Sequence, residues 1–96
     1  MPTPRYGHSL VQAGNGKIYA IGGLGSSDII LNTVEEYDPV TNTWSTKTPM
    51  PTARAAMAAA AAQNGRIYVI GGQGPSANQW RTTVEEYDPA TDTWAT

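Results

Sequence analysis

Two runs of acidic residues are the densest concentration of reactive side chains in this sequence. They are Glu35-Glu36-Asp38 and Glu85-Glu86-Asp88. Paired carboxylates are typical of general acid–base catalysis and of calcium sites. Successive residues of a strand point to opposite faces, so adjacent glutamates on a strand cannot converge on one substrate. The two runs are also identical, and a catalytic site rarely repeats in every unit, so we expect a structural role.

His8 is the only histidine of the chain, and there is no cysteine. A zinc site needs several histidine or cysteine ligands, which a lone histidine cannot supply. Without cysteine there is also no disulfide and no thiolate nucleophile. The pairs Gly22-Gly23 and Gly71-Gly72 lack the spacing of phosphate-binding loops, and a positive φ or tight packing explains them. We therefore expect no catalytic residue, no metal and no cofactor.

The composition limits the class of protein that holds these residues. With 96 residues, 40% of them hydrophobic, the chain forms at most one small domain, and disorder is not expected. A net charge of −2 without a basic block argues against binding to nucleic acid or anionic membranes. No apolar run reaches the length of about 18 residues that a membrane helix needs. The polar, proline-rich N-terminus is no signal peptide, so we expect a cytoplasmic protein.

The chain contains two copies of one unit, which we place at residues 1–49 and 50–96. The offset between matching segments is 49, and it becomes 50 after one residue is inserted within 73–82. The second copy lacks counterparts of Lys47, Thr48 and Pro49, and Met1 falls at the position of Met50. Such boundaries are typical of an engineered excision from a longer tandem array.

Each copy predicts four short strands. In the first copy, residues 18–21 form an apolar run with both faces buried, and Asn15-Gly16 predicts a hairpin that pairs this run with residues 6–13. Residues 34–37 are the third strand and 43–46 the fourth, separated by the polar turn at 38–42. Four short strands that recur as a unit are typical of propeller blades.

The alanine-rich segment 54–63 conflicts with this pattern, because its composition is that of a strong helix former. Its counterpart, residues 5–14, contains glycine, serine and valine and ends in the hairpin turn. Two copies of one repeat should share one fold, so we predict a strand in both. Small side chains suit a strand near a crowded propeller axis, where tertiary context overrides propensity.

The two copies resemble the Kelch repeat across essentially the whole chain. Both carry an arginine, a short apolar strand, and then Gly-x-Ile-Tyr-x-Ile-Gly-Gly, Val-Glu-x-Tyr-Asp-Pro and Thr-x-Thr-Trp. The resemblance implies a four-stranded blade whose first strand lines a central channel and whose fourth is outermost. The structural motif residues are Gly22, Gly23, Tyr37, Trp44, Gly71, Gly72, Tyr87 and Trp94.

Kelch propellers commonly have six or seven blades, whereas this chain supplies two. Two stacked blades leave two apolar faces in water, and such faces find partners. The predicted fold class is therefore all-β, with two four-stranded antiparallel Kelch blades per chain that close a β-propeller by oligomerisation. We expect six blades in a cyclic homotrimer, with Thr96 of one chain near Met1 of the next.

The resemblance also suggests a ligand site at the channel mouth, formed by Arg5, Tyr6, His8 and Arg54, because Kelch adaptors place arginines there to bind acidic peptides. The loops at 24–32 and 73–82 would form the rim. The alternative is that each arginine caps a strand or pairs with a carboxylate such as Glu35 or Glu85. His8 would then be a partly exposed residue lining the channel.

Three functions remain to be compared. The first is a non-catalytic, self-assembling structural scaffold, whose partner is the chain itself. The second is a peptide- or protein-binding module that recognises ligands at the channel mouth. The third is a fragment of a sugar-modifying enzyme, but Kelch-like oxidases need a cysteine-linked tyrosine and several histidines, which this sequence lacks.

Overall fold

The computed structural model describes residues 5–26, 29–75 and 80–96. These residues form two four-stranded antiparallel sheets in which the strands follow one another in chain order. Sheet 1 contains β1 Ser9–Gln12, β2 Ile18–Ile21, β3 Val34–Asp38 and β4 Thr43–Lys47. Sheet 2 contains β5 Ala58–Ala61, β6 Ile67–Ile70, β7 Val84–Asp88 and β8 Thr93–Ala95. The predicted all-β blades are confirmed.

The predicted hairpin turn at Asn15-Gly16 is present. Gly16 has a φ of 84° and donates its N–H to the Ala13 carbonyl at 3.1 Å, while the Asn15 side chain accepts the Lys17 N–H at 2.9 Å. The asparagine side chain thus closes the turn and glycine supplies the positive φ that a hairpin of this kind requires. This turn sets the register that pairs Gln12 with Ile18.

The register divides each sheet into two faces, because residues paired across strands share a face. The front face of sheet 1 carries Tyr19, Ile21 and Val34, and its counterpart on sheet 2 carries Tyr68, Ile70 and Val84. The back face carries the aromatic pair of the third and fourth strands. This pair is Tyr37 with Trp44 in sheet 1, and Tyr87 with Trp94 in sheet 2.

The two sheets stack with the front face of sheet 1 against the back face of sheet 2. The core between them consists of Ala13, Tyr19, Ile21, Val34, Met50, Met57, Ile67, Val69 and Tyr87, with Val11, Ala59 and Trp94 packed at its border. Complete burial of a large apolar side chain stabilises the fold by about 1.5–3 kcal/mol. We call this contact between the sheets the internal seam. Within the described ranges, no helix is long and apolar enough to cross a membrane.

The alanine-rich segment forms strand β5, so the strand prediction is confirmed against helix propensity. Ala58–Ala61 pairs along its length with β6, from Ala58 opposite Ile70 to Ala61 opposite Ile67. Ala59 packs at the border of the core. An isolated helix of this length is marginal in water, whereas a strand here gains both a hydrogen-bonded partner and apolar contact.

Candidate functional site

A buried arginine–carboxylate pair holds each sheet together next to its diglycine. The Arg54 guanidinium donates to the carbonyls of Gly71 and Thr83 at 2.9 and 3.0 Å, to the Thr52 hydroxyl at 2.9 Å, and to Glu85 at 2.6 Å. The side chains of Arg54 and Glu85 are 0% and 2% exposed. Arg54 therefore ties the end of β6 to the start of β7.

Arg5 makes the equivalent contacts in sheet 1. Its guanidinium donates to the carbonyls of Gly22 and Thr33 at 2.9 and 3.0 Å and pairs with Glu35. Each arginine thus pairs with a carboxylate, which was the alternative to a ligand-binding role at the channel mouth. Both guanidinium groups are completely buried, so neither presents a charge to a ligand in this structure.

The other predicted mouth residues are more accessible than the arginines. Tyr6 is 57% exposed and borders a shallow depression together with Arg5, Leu24 and Ser26. His8 is half-buried on the back face of sheet 1. Arg54 belongs to sheet 2 and does not border this depression. Residues 27–28 and 76–79 of the predicted rim lie outside the described residues.

Both explanations predicted for the glycine pairs, positive φ and tight packing, apply in the structure. Gly22, Gly23, Gly71 and Gly72 all have positive φ, from 64° to 103°. A Cβ on Gly22 would overlap the side chain of Met57 and the Arg54 carbonyl across the internal seam. The backbone at Gly22 can therefore approach its neighbour only because there is no side chain.

The two glutamates of the acidic run point to opposite faces, as predicted. Glu35 pairs with Arg5, whereas Glu36 accepts a hydrogen bond from the Tyr19 hydroxyl at 2.6 Å. Lys17 and Lys47 approach Glu36 at 3.6 and 3.7 Å. Burial and the bond to Glu36 raise the pKa of Tyr19 to about 12. No group of three potential metal ligands occurs in the part of the chain that the structure describes.

The aromatic pair of sheet 2 contributes to the internal seam, with Tyr87 in the core and Trp94 at its border. Tyr87 and Trp94 have ring centroids 4.9 Å apart, and Tyr87 meets Tyr19 edge to face at 5.7 Å. The Trp94 Nε1 donates to the Thr48 carbonyl at 2.8 Å. Apolar contact and an indole hydrogen bond therefore fix the same ring.

Asp92 adds a polar contact at the border of this seam. It accepts the Tyr87 hydroxyl at 2.6 Å and the Thr48 N–H at 3.0 Å. Burial alone would raise the pKa of Asp92, but the hydrogen bonds from Tyr87 and Thr48 lower it overall. The contacts between Asp92 and Thr48 could not be predicted from the sequence, because the two residues belong to different copies.

The back face of sheet 1 presents the same aromatic pair without a partner sheet among the described residues. Tyr37 and Trp44 have ring centroids 5.1 Å apart with planes at 45°, against 4.9 Å and 43° for Tyr87 and Trp94. Leu10 on the same face is 61% exposed. The aromatic pair that sheet 2 packs in the internal seam therefore has nearly the same geometry on the open back face of sheet 1.

The front face of sheet 2 is open in the same way. Ile70 and Val84 are 48% and 45% exposed, although the equivalent Ile21 and Val34 are completely buried. The internal seam is built from one front face and one back face, and within the described ranges one face of each kind stays uncovered. The sequence predicted that two faces would stay open, but identical residues in the two copies could not show which.

Comparison with protein families adds one finding. The family model for the Kelch motif matches residues 4–51 and residues 54–96, which is nearly the entire chain. Its two matched segments each contain one of the two sheets.

Proposed function

Because the chain belongs to the Kelch motif family, whose repeats form β-propeller scaffolds, we propose that it is a non-catalytic scaffold that closes a propeller by self-assembly. Its partner is a second copy of the same chain, and its working form is a six-bladed ring of three chains. The fully buried arginine–carboxylate pairs support a structural rather than a catalytic use of its charged residues.

The observation that carries this proposal is the complementarity of the two open faces. Tyr87 and Trp94 pack against the front face of sheet 1 within the chain. Tyr37 and Trp44 form a similar aromatic pair that could pack against the front face of a neighbouring chain. Stacking the front face of sheet 2 on the back face of sheet 1 in the next chain would repeat the internal seam. A head-to-tail contact of this kind forms a ring when its rotation closes.

The number of chains follows from the number of sheets. With two sheets in each chain, closed rings have an even number of blades, and six corresponds to three chains. In such a ring Thr96 would lie near Met1 of the next chain. Met1 lies outside the described residues.

Native mass spectrometry of the 10.2 kDa chain tests the proposal directly. We expect a species of three chains at micromolar concentration. Ile70→Arg places a charge on the open front face and should leave single chains, whereas Val40→Arg, at a position that is 93% exposed in the turn before β4, should not. Single chains of the unmodified protein at this concentration would overturn the proposal.

A mixing experiment tests the head-to-tail arrangement. Leu10→Arg blocks the back face and Ile70→Arg blocks the front face, so neither variant assembles alone. An equimolar mixture retains one intact face of each kind and should form dimers with one chain of each variant. Homodimers of either variant would show that like faces pair, which contradicts the head-to-tail contact.

Peptide recognition at the channel mouth is a second candidate, favoured by the exposed Tyr6 ring beside a shallow depression. Variants of Arg5 cannot test it, because they remove a buried structural ion pair. Tyr6→Ala leaves that pair intact and should abolish binding of an acidic peptide in a titration. Unchanged affinity would exclude Tyr6 from the site.

A further inference from the structure

The two copies differ in sequence at a position that the internal seam buries. His8 precedes Ser9 in the first copy, and Met57 precedes the equivalent Ala58 in the second copy. Met57 therefore occupies the position of His8. Met57 is 8% exposed. Its sulfur and carbonyl accept the Ser9 hydroxyl at 3.2 and 2.9 Å, so Met57 sits directly on the front face of sheet 1.

Gly22 makes room for this methionine. A Cβ at Gly22 would overlap the end of the Met57 side chain. The equivalent glycine of the second copy, Gly71, is open, since the nearest neighbour of a Cβ there is the Arg81 carbonyl at 3.5 Å. The front face of sheet 2 therefore has the same groove at Gly71, without the side chain that fills it at Gly22.

His8 is placed to fill that groove in a neighbouring chain. It lies on the open back face of sheet 1, on the same side as Leu10, as Met57 lies on the back face of sheet 2 with Ala59. We propose that His8 of one chain packs over Gly71 of the next and makes assembly dependent on the protonation of its imidazole. This proposal rests on the proposed self-assembly and concerns its regulation.

The groups that would face His8 offer no acceptor side chain for a protonated ring. By equivalence with Met57, these are Ala58, Ile70 and Gly71 of the next chain, and Ala58 lacks the hydroxyl that Ser9 provides in the internal seam. The Nδ1 of His8 is already shielded from water and has no hydrogen-bond partner among the described residues.

The charged groups nearby also oppose a second positive charge. On its own segment His8 is close to Arg5, whose guanidinium pairs with Glu35. Across the new seam, the Arg81 guanidinium donates to the Ala53 carbonyl at 3.4 Å, and Glu85 lies on the opposite face of sheet 2. Glu86 lies on the front face, where Arg66 and the Tyr68 hydroxyl each donate to it at 2.8 Å.

Glu85 is moreover occupied by Arg54. The carboxylates Glu35, Glu85 and Glu86 are therefore each already paired with an arginine, which limits their capacity to stabilise a histidinium.

The sign of the pH dependence follows from these contacts. Burial, and then Arg5, already lower the pKa of His8 in the single chain. Packing against Ile70 and Gly71 would remove more water and lower this pKa further. The assembled state thus binds fewer protons, so assembly is fully favourable above the pKa that His8 has in the single chain. It weakens as the pH falls from there toward the lower pKa of His8 in the assembly.

The experiment measures the dissociation constant of the assembly by sedimentation between pH 8 and pH 5. We expect affinity to fall by about tenfold for each unit by which assembly lowers the pKa. His8→Met copies Met57 and should bind more tightly with no pH dependence in this range. His8→Gln keeps a neutral polar side chain and should bind without pH dependence.

The measurements distinguish a failure of the proposed role of His8 from a failure of the proposed self-assembly. An assembly whose affinity is the same at pH 8 and pH 5, or a His8→Met variant with the original pH dependence, would overturn the role of His8 while self-assembly stands. Single chains at every pH would overturn the proposed self-assembly and this inference with it. Urea unfolding of His8→Met at both pH values shows whether the chain itself remains equally stable.

Discussion

Val34 and Val84 are the same residue at the same place in two copies of one strand, yet Val34 is completely buried and Val84 is 45% exposed. The same holds for Ile21 and Ile70. The strands around them pair in the same register, so local structure does not explain the difference. What differs is the neighbour, because in the part of the chain that the structure describes a sheet is stacked on the front face of sheet 1 but not on that of sheet 2.

The comparison separates two kinds of stabilising contact, those within one copy and those between neighbouring copies. The strand pairs, hairpin turns and arginine–carboxylate pairs lie within one copy and form in both. Burial of the apolar faces requires a second copy. In repeat proteins stability is approximately a sum of these two contributions, one within repeats and one between neighbours. The following variants separate the contributions.

The largest loss of stability is expected from breaking a buried ion pair within one copy. Arg54→Ala removes the partner of Glu85 and leaves a carboxylate that is 2% exposed without its cation. Breaking a buried pair in this way costs about 3–5 kcal/mol of the free energy of unfolding. Urea unfolding at fixed chain concentration measures this cost, and fixed concentration matters because assembly also stabilises the fold.

The equivalent variant in sheet 1 sharpens the comparison. Arg5→Ala breaks the same type of pair, which is equally buried. If the pair acts within its own copy, both variants should cost a similar amount although their sheets have different neighbours. A cost below about 1 kcal/mol for either variant would mean that the carboxylate is well solvated after all.

The sequence predicted the strands because their signals are local. Asn15-Gly16 indicates a hairpin turn, and the apolar run at 18–21 indicates a strand that is buried on both faces. For the alanine-rich segment, comparison with the first copy favoured a strand over a helix. The pairing of Arg5 with Glu35 was one of two alternatives, and its complete burial became apparent only in the structure. The contacts between Trp94 and Thr48 join different copies, and no local pattern encodes them.

A smaller effect is expected on the innermost strand, whose two faces have different neighbours. Ala59 packs at the border of the internal seam, whereas Ala60 is exposed on the open front face of sheet 2. Ala59→Leu should therefore destabilise the single chain by about 1–3 kcal/mol through overpacking. Ala60→Leu should leave the unfolding of the single chain nearly unchanged but weaken assembly. Ala58→Leu should behave like Ala60→Leu.

Urea unfolding followed by circular dichroism, together with native mass spectrometry, checks these three variants. The unmodified chain should show a β-type spectrum with almost no helix. Equal loss of chain stability from Ala59→Leu and Ala60→Leu would contradict the assignment of their faces. Tolerance of leucine at Ala58, Ala59 and Ala60, accompanied by a helical signal, would overturn strand β5 itself.

The smallest effect concerns one residue just before the innermost strand. Gly7 has a φ of 65°, and its counterpart Ala56 adopts nearly the same conformation with a φ of 53°. The two meet across the internal seam, where the Ala56 N–H donates to the Gly7 carbonyl at 2.8 Å. An L-residue in the left-handed region costs about 1–2 kcal/mol, so the second copy carries a strain that the first avoids.

Exchanging these residues isolates that strain. Ala56→Gly relieves it but gives the unfolded chain more freedom, which costs about 0.4–1 kcal/mol, so the net gain in stability should be about 0.5 kcal/mol. Gly7→Ala should lose a similar amount. A Cβ there would come no closer than 3.7 Å to the Leu24 side chain, so no steric overlap adds to the backbone strain. Urea midpoints for both variants measure the difference, and a destabilising Ala56→Gly would show that the seam holds Ala56 without strain.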